Sequence, residues 1–359
     1  MKALCLFIVI ILLAGCSSQI TGRVVETPVK IGVMAPLTGV AANLGENMLR
    51  GINLAINDSE DYELIIEDDQ CNSRSGVNVA KKLIEMDNVD VIIGSICTVA
   101  VLPSAPLVEV AKVPRVTSGL AVQKVANAGD YHFTFIPEIK HQVKATINYA
   151  KKQNYSSIAI LSVNDELGRE MMSELKNSLD NINLTGEEYF EKTESDFKVY
   201  FAKVIVDNPD AIYLMGYTPN YINLVKQAKE LGVKVPLLGW SLYQYPEVIQ
   251  SLGEDASMVV YSYPEDPREL NAKMRFKEQF QDRYGVEPDI YAANAYDSYM
   301  IVKSALDKCK KNRECIKQEL YSLNNYEGVN GFITVDDRGV CIREEVAMKT
   351  VRNGTFVLL

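Results

Sequence analysis

The chain has 359 residues, of which 37 are Lys or Arg and 47 are Asp or Glu, so its formal net charge is −10. Apolar residues make up 47%, which excludes wholesale disorder, and an acidic balance without a basic block argues against nucleic acid as a partner. The only histidines are His132 and His141, which excludes a histidine-rich metal site. We expect neither a bound metal nor a cofactor.

The first 27 residues predict an export signal and a tether. Residues 3–14 are apolar but would form a helix of only about 18 Å, too short for a hydrocarbon core of roughly 30 Å. Residues 13–16 resemble a lipobox, in which the signal (residues 1–15) is removed and Cys16 receives lipid; a plain secretory signal is the alternative. Lipidation would anchor the chain to a membrane, facing the periplasm or cell exterior, through a polar tether at 16–27.

From residue 29 onward, apolar runs alternate with amphipathic segments that have the i, i+3, i+4 spacing of helices. The predicted strands are 29–35, 62–66, 89–93, 113–117, 158–162, 188–190, 211–215, 235–239, 258–261 and 331–335. Continuous apolar strands separated by helices are typical of parallel sheets that are covered on both faces. The sequence therefore predicts an α/β fold.

Interruptions near Ile136 and Pro264 divide this pattern into two doubly wound parallel-sheet lobes. We predict that residues 28–137 and 265–328 form the first lobe, and that 138–264 and 329–359 form the second. In such open sheets, ligands bind beyond the carboxyl ends of the strands. The residues that follow the predicted strands are mostly small, hydroxyl-bearing or aromatic, which indicates a binding pocket rather than a catalytic array.

Outside the signal and the lipobox, five cysteines remain in a chain that is predicted to be exported. Cys71 and Cys97 lie 26 positions apart, each near the end of a predicted strand, so a bridge between neighbouring loops is expected. Cys309 and Cys315 flank a charged turn that a second bridge could close. Buried free thiols are the alternative for both pairs, and Cys341 is left without a partner.

Five segments, in order along the chain, resemble the type I periplasmic binding proteins, specifically the leucine/isoleucine/valine-binding group that serves ABC importers. They are residues 31–39, 67–71, 91–97, 296–297 and 328–331. The resemblance covers nearly the whole mature chain. It implies a Venus-flytrap fold with a three-segment hinge, a small-molecule ligand in the cleft, closure of the hinge on that ligand, and docking on an ABC permease. We expect a monomer.

The resemblance also implies a set of ligand-binding residues. Thr98 matches a hydroxyl that, with neighbouring backbone amides, holds the ligand's carboxylate. Tyr217 matches an aromatic residue that covers the ligand from the second lobe, although a core or surface tyrosine is the alternative reading. The remaining implied pocket residues are Leu44, Ser118, Gly119, Leu120, Ala121, Leu167, Trp240 and Ser241.

Five of these positions depart from the amino-acid-binding pattern. Leu44 stands where some members have tryptophan, and Leu167 replaces a tyrosine. Leu120 and Ala121 replace a small residue and a threonine that help to bind an ammonium group, and Ser241 replaces the carboxylate that pairs with it. A buried ammonium without a partner is costly. Our hypothesis is that the ligand either lacks an α-amino group or uses another acid.

Asp165 and Glu166 are the candidates for such an acid.

Two other functions compete with solute binding. Residues 173–176 fit the Ser-x-x-Lys of acyl-transfer enzymes, but the partner motifs are missing and a solvated helix face explains the pattern, so we expect no enzyme. The acidic residues 67–69 are explained as a solvated strand end. The second competitor is a ligand-binding sensor that signals through a partner receptor, since fold does not decide between transport and sensing.

Overall fold

The computed structural model describes residues 28–39, 41–56, 62–119 and 123–359. The predicted signal, tether and lipidation site at Cys16 lie outside these residues, as do Leu120 and Ala121 of the predicted pocket. No helix within the described ranges has both the length and the apolar character that a membrane span requires.

The strands and helices alternate as the sequence predicts. The strands are β1 (Val29–Ala35), β2 (Tyr62–Asp68), β3 (Val91–Gly94), β4 (Arg115–Thr117), β5 (His132–Thr134), β6 (Ser157–Val163), β7 (Asn183–Phe190), β8 (Ala211–Met215), β9 (Leu237–Gly239), β10 (Val259–Tyr263), β11 (Tyr326–Gly328), β12 (Gly331–Ile333), β13 (Ala347–Arg352) and β14 (Thr355–Leu358). The helices are α1 (Ala42–Ala55), α2 (Ser73–Lys81), α3 (Thr98–Ala111), α4 (Gln123–Ala126), α5 (Ile139–Lys152), α6 (Glu166–Ser178), α7 (Lys198–Val204), α8 (Thr218–Glu230), α9 (Pro246–Leu252), α10 (Asn271–Tyr284), α11 (Ile290–Cys309) and α12 (Arg313–Tyr321).

Two main sheets form the cores of two lobes. The first lobe has the parallel order β2-β1-β3-β4-β5. The second has β7-β6-β8-β9-β10, also parallel, to which β13 and then β14 add in antiparallel fashion. Strands such as β3 and β8 are buried along their whole length because helices cover both faces of each sheet. The predicted α/β fold with parallel-sheet lobes is confirmed.

The chain passes between the lobes three times. It crosses between Thr134 and Ile139, between Tyr263 and Asn271, and again before β13. The third crossing comes later than the predicted boundary at residue 329, which falls inside the paired hairpin β11–β12. The segment after this hairpin remains on the first lobe, where the Thr134 amide donates to the Gly339 carbonyl and the Cys341 amide donates to the Thr134 carbonyl.

Both predicted disulfides are present. Cys71–Cys97 joins the loops that follow β2 and β3, and its Cα atoms lie 5.4 Å apart. Cys309–Cys315 closes the turn between α11 and α12. Cys341 is a buried free thiol, and burial raises its pKa. The first bridge holds two strand-end loops of the first lobe together.

A buried cation lies beneath α3 in the first lobe. The Arg115 side chain is fully buried and donates to the Ser104 hydroxyl (2.6 Å) and to the Val101 carbonyl (2.8 Å). Its guanidinium also lies 3.0 Å from Nδ1 of His132. Since arginine can only donate, Nδ1 must accept, so His132 has to be neutral. Burial, together with the charge of Arg115, lowers the pKa of His132 well below its usual value.

We expect His132 to make the first lobe sensitive to acid. The pKa of His132 is lower in the folded protein than in the unfolded chain, where it is roughly 6.5. The contribution of neutral His132 to the free energy of unfolding is therefore complete above about pH 6.5 and is lost as the pH falls below that value. The free energy of unfolding of the wild type should fall by at most about 1.4 kcal/mol per pH unit from this group. In urea unfolding experiments, the free energy of unfolding should fall less between pH 7.5 and pH 5.0 for His132→Asn than for the wild type.

The control variant is His141→Asn. His141 is the other histidine of the chain, it is half-buried on α5, and burial lowers its pKa as well. It does not contact a buried arginine, so this variant should remove a smaller part of the pH dependence. If the free energy of unfolding depends on pH in the same way for the wild type and for His132→Asn, His132 is not the source of the acid sensitivity.

Candidate functional site

The two lobes have the same strand order and therefore two corresponding switch points. In each sheet the order reverses beside the first strand of that lobe, between β1 and β3 and between β6 and β8. Crevices at such points, beyond the carboxyl ends of the strands, are where open α/β sheets bind ligands. Thr98 follows β3, Asp165 follows β6 and Tyr217 follows β8. The loops at these switch points are therefore among the strand-end loops in which the sequence predicts pocket residues.

The loop that follows β1 is held by Asp68, at the end of β2. Its carboxylate accepts from the amides of Leu37 (2.8 Å), Thr38 (3.3 Å) and Gln70 (2.9 Å) and from the Thr38 hydroxyl. Burial opposes ionisation, but these donors outweigh it and lower the pKa of Asp68. Among the acidic residues 67–69, which the sequence predicted to be a solvated strand end, Asp68 therefore accepts the hydrogen bonds that hold the loop after β1.

Thr98 is the first residue of α3 and is half-buried. The amides in the first turn of a helix have no acceptor within that helix and favour an anion. The preceding residues are fixed, because the Cys97 amide donates to the hydroxyl of buried Ser95 (2.9 Å) and Cys97 is bonded to Cys71. This end of α3 is therefore a fixed turn that carries a hydroxyl and the positive end of a helix dipole.

Ser118 and Gly119 lie beside this turn, after β4. A Cβ atom added to Gly119 would lie 2.2 Å from the carbonyl oxygen of Ile96, so the two loops touch backbone to backbone. Ser118 is fully buried, and its hydroxyl has no hydrogen-bond partner among the described residues. Buried hydroxyls normally have a partner, so a ligand or water is the expected one.

In the second lobe, Asp165 and Tyr217 form a fixed pair. One oxygen of Asp165 caps α6 by accepting from the Gly168 amide (2.9 Å), and the other accepts from the Tyr217 hydroxyl (2.7 Å). The ammonium of Lys192 lies 4.2 Å from the centre of the Tyr217 ring. Burial raises the pKa of Tyr217, and the charge of Asp165 raises it further. Tyr217 is thus held as a neutral, half-buried ring rather than as a core residue.

The remaining predicted pocket residues differ in their surroundings. Leu44 on α1 and Leu167 on α6 are half-buried and pack against the core. Ser241 is buried, and its hydroxyl lacks a partner within the described ranges. Trp240 is fully buried and, unlike Ser118, leaves no side-chain polar atom unpaired, because its Nε1 donates to the Gly216 carbonyl (3.1 Å). The prediction that Trp240 contacts the ligand is therefore corrected, because its ring completes the core under β8.

Contacts between the lobes border the cleft. The Gln123 amide of the first lobe donates to Glu170 of the second (2.7 Å), and Lys124 forms an ion pair with Glu166. Burial raises the pKa of Glu170. Glu166, a candidate partner for a ligand amine, is exposed and already paired, so it does not fit that role.

Sequence reasoning missed two tyrosines that meet between the lobes. Tyr245 precedes α9 in the second lobe, and Tyr291 is the second residue of α11 in the first. Both are buried, and Tyr291 is close enough to raise the pKa of Tyr245, whose hydroxyl has no hydrogen-bond partner among the described residues. Tyr291 also lies close enough to Tyr217 to raise the pKa of that residue. Neither tyrosine follows a strand, so the strand-end rule could not select them.

The arrangement can bind a small anion but offers little for an ammonium group. The turn at Thr98 and the hydroxyl of Ser118 supply donors in the first lobe. Ser241, at the position implied to hold an acid, supplies a hydroxyl. Among the described residues, no cluster of His, Cys, Asp or Glu is arranged to hold a metal ion.

Comparison with known proteins gives consistent matches over nearly the whole described chain. A family model described as periplasmic binding protein matches residues 28–353. The leucine-, isoleucine-, valine-, threonine- and alanine-binding protein of Pseudomonas aeruginosa is 22% identical, over 87% of this chain and 86% of that protein. The Leu/Ile/Val-binding protein of Escherichia coli is 21% identical, over 91% and 92%. The crystal structure of a leucine-binding protein from Thermotoga maritima has a TM-score of 0.84 and 25% identity, over 92% and 97%.

We expect Gly119→Ala to disturb the turn at Thr98, because two backbone segments would have to separate. Overpacking of this kind costs about 1–3 kcal/mol of unfolding free energy, measurable by urea unfolding. Gly239 ends β9 in the second lobe, and a Cβ atom there meets only side-chain atoms, at 3.1 Å or more. Gly239→Ala should therefore lower the free energy of unfolding less than Gly119→Ala does. Equal losses for the two variants would show that the contact with Ile96 is not rigid.

Proposed function

The chain belongs to the periplasmic binding protein family, as the sequence resemblance predicted, and from this premise we propose that it is the solute-binding component of an ABC importer. In this proposal, a small organic carboxylate binds between the lobes, and the permease receives the closed form. The observation that carries the proposal is the pair of corresponding switch points, with Thr98 directly after β3 at one and Tyr217 directly after β8 at the other. The protein is proposed to bind its ligand without chemical change.

The anionic end of the ligand is assigned to the first lobe. The first turn of α3 presents the positive end of the helix dipole, Thr98 adds a hydroxyl, and the unpartnered hydroxyl of Ser118 lies in the loop packed against that turn. Hydrogen bonds to a charged acceptor contribute roughly 1.5–3 kcal/mol each. Because the Cys71–Cys97 bridge and the Gly119 contact hold both loops in place, little ordering is needed on binding.

The other end of the ligand is proposed to lack an α-ammonium group. Ser241 provides no negative charge, and both oxygens of Asp165 already accept hydrogen bonds, from Gly168 and Tyr217. An ammonium group buried here would lose its hydration without gaining an ion pair. The curated relatives are named for binding amino acids, so this chain is proposed to have kept their carboxylate recognition and changed the rest.

We expect 4-methylpentanoate, which is leucine without its amino group, to bind more tightly than leucine. Isothermal titration calorimetry of the wild type with both compounds measures this. Ser241→Glu should improve leucine binding by ten-fold or more relative to 4-methylpentanoate, because it returns a carboxylate to the position opposite the ammonium.

Ser241→Gln is the matched control, since it has the same size without the charge and should give no such gain. Tighter binding of leucine by the wild type would contradict the proposed ligand class. Small-angle scattering of the same samples tests hinge closure: a bound ligand should reduce the radius of gyration, because contacts from both lobes are complete only when the cleft is shut.

The protein is further proposed to be held at the membrane through lipid on Cys16. The support is the lipobox-like sequence at residues 13–16, which follows an apolar run too short to span a bilayer. Two acyl chains suffice for stable anchoring. The polar residues 16–27 would then connect the anchor to the first strand.

We expect Cys16→Ser to move the protein from the membrane fraction to the medium or periplasm of an expressing bacterium. Fractionation and detergent-phase partition of the variant and the wild type provide the measurement. Cys5→Ser, within the apolar run, is the control and should remain with the membrane. A Cys16→Ser protein that stays membrane-bound to the wild-type extent would disprove lipid anchoring at this residue.

A further inference from the structure

A cavity of about 610 Å³ lies between the lobes, apart from the residues of the candidate site. None of Thr98, Ser118, Tyr217 and Ser241 lines it. Its second-lobe wall comes from the segment around α9, from β10 and from β13–β14, and its first-lobe wall comes from α10, the start of α11 and the loop after β11. Its volume lies within the range of small-molecule sites.

One wall of the cavity carries a buried cluster of charges. Glu265, Lys273 and Lys349 are each at least nine-tenths buried. The Lys349 ammonium lies 2.9 Å from one oxygen of Glu265, and the Lys273 ammonium lies 3.5 Å from the other. Burial would raise the pKa of Glu265, but Lys349 and Lys273 lower it, so the carboxylate is ionised. The trio contains two ammonium groups and a single carboxylate.

Lys277 adds a further positive charge at this wall. It lies one helical turn after Lys273 on α10, it is half-buried, and it lines the cavity. It is near enough to Glu265 and Lys349 to influence the pKa values of both, yet it forms no ion pair with any residue that the structure describes. Glu265 therefore faces three ammonium groups.

Two further acids, Glu287 and Asp289, line the cavity, so the lining as a whole holds three lysines and three acids, and the positive excess is confined to the wall around Glu265. Glu287 is exposed. Asp289 accepts from the Asn47 side chain (2.8 Å) and from the Ala292 amide (2.8 Å), so its oxygens are engaged on the first lobe, and burial raises its pKa. Much of the remaining wall is apolar and includes Phe276 and Phe356. The cavity thus combines a cationic end with aromatic surface.

We propose that this cavity is a second ligand site, which takes a small organic anion with an aromatic or aliphatic body. The carboxylate binds the ammonium of Lys277, and the apolar body packs on Phe276 and Phe356. Since the two phenylalanines belong to different lobes, the occupant contacts both lobes at a place distinct from the cleft ligand. The inference does not depend on which solute the cleft binds.

The test uses benzoate as the probe and the complete mature protein, followed by calorimetry. Because benzoate also belongs to the ligand class proposed for the cleft, the isotherms are fitted with two sites, and the binding assigned to this cavity is the part that depends on Lys277. We expect Lys277→Met to weaken benzoate binding by ten-fold or more, because a charged hydrogen bond is lost, and Lys277→Arg to restore it. Benzamide, which has the same ring without the charge, should bind at least ten-fold more weakly than benzoate to the wild type.

Lys226→Met, at an exposed lysine on α8 outside the cavity, is the control and should leave benzoate binding unchanged. Benzoate isotherms that are identical for the wild type and Lys277→Met would overturn the proposal, as would the absence of benzoate binding. Either result leaves the comparison of leucine with 4-methylpentanoate unaffected, so failure here is distinguishable from failure of the proposed function.

Discussion

The backbone contact between Gly119 and the carbonyl of Ile96 is the constraint on which the first-lobe half of the site depends. It brings the loop after β4 against the loop after β3, and so places Ser118 beside the first turn of α3. The Cys71–Cys97 bridge ties the same turn to the loop after β2, where Asp68 holds the loop after β1. Four strand-end loops are thus fixed before any ligand arrives, which limits the conformational entropy that binding has to overcome.

The distribution of buried charge distinguishes the two sites. In the candidate site, the first lobe supplies helix amides and hydroxyls, and the second lobe supplies a tyrosine whose hydroxyl already donates to Asp165. A site of this kind neutralises an anion with dipoles and provides no fixed charge for a cation. In the cavity beside β10, the ammonium groups of Lys273 and Lys349 contact Glu265 and Lys277 adds a third positive charge to the lining, so the recognition proposed there relies on full positive charges beside aromatic rings. The two sites are therefore proposed to hold related anions by different means.

Both sites lie between the lobes, and this position gives each of them a connection to the hinge. A ligand that touches both walls favours whichever arrangement of the lobes completes its contacts. The interlobe contacts of Gln123 with Glu170 and of Tyr245 with Tyr291 border the candidate site. The cavity beside β10 is bordered by the crossing segment that contains Glu265 and by the start of α11. In both proposals, therefore, a bound ligand would bias the same movement of one lobe relative to the other.

The sequence by itself determined the alternation of strands and helices and the strand-end positions of Thr98, Ser118 and Tyr217, because these depend on local periodicity and on the general rule for parallel sheets. The spacing of the cysteines pointed to both disulfides, and the structure decided between bridges and free thiols. Only the tertiary structure decided that residues 331–341 stay on the first lobe, that Trp240 is a core residue, and that Tyr245 meets Tyr291. It also decided that Lys273, Lys277 and Lys349 converge on Glu265. The physical reason is that these outcomes depend on contacts between residues far apart in the chain, which local spacing does not encode.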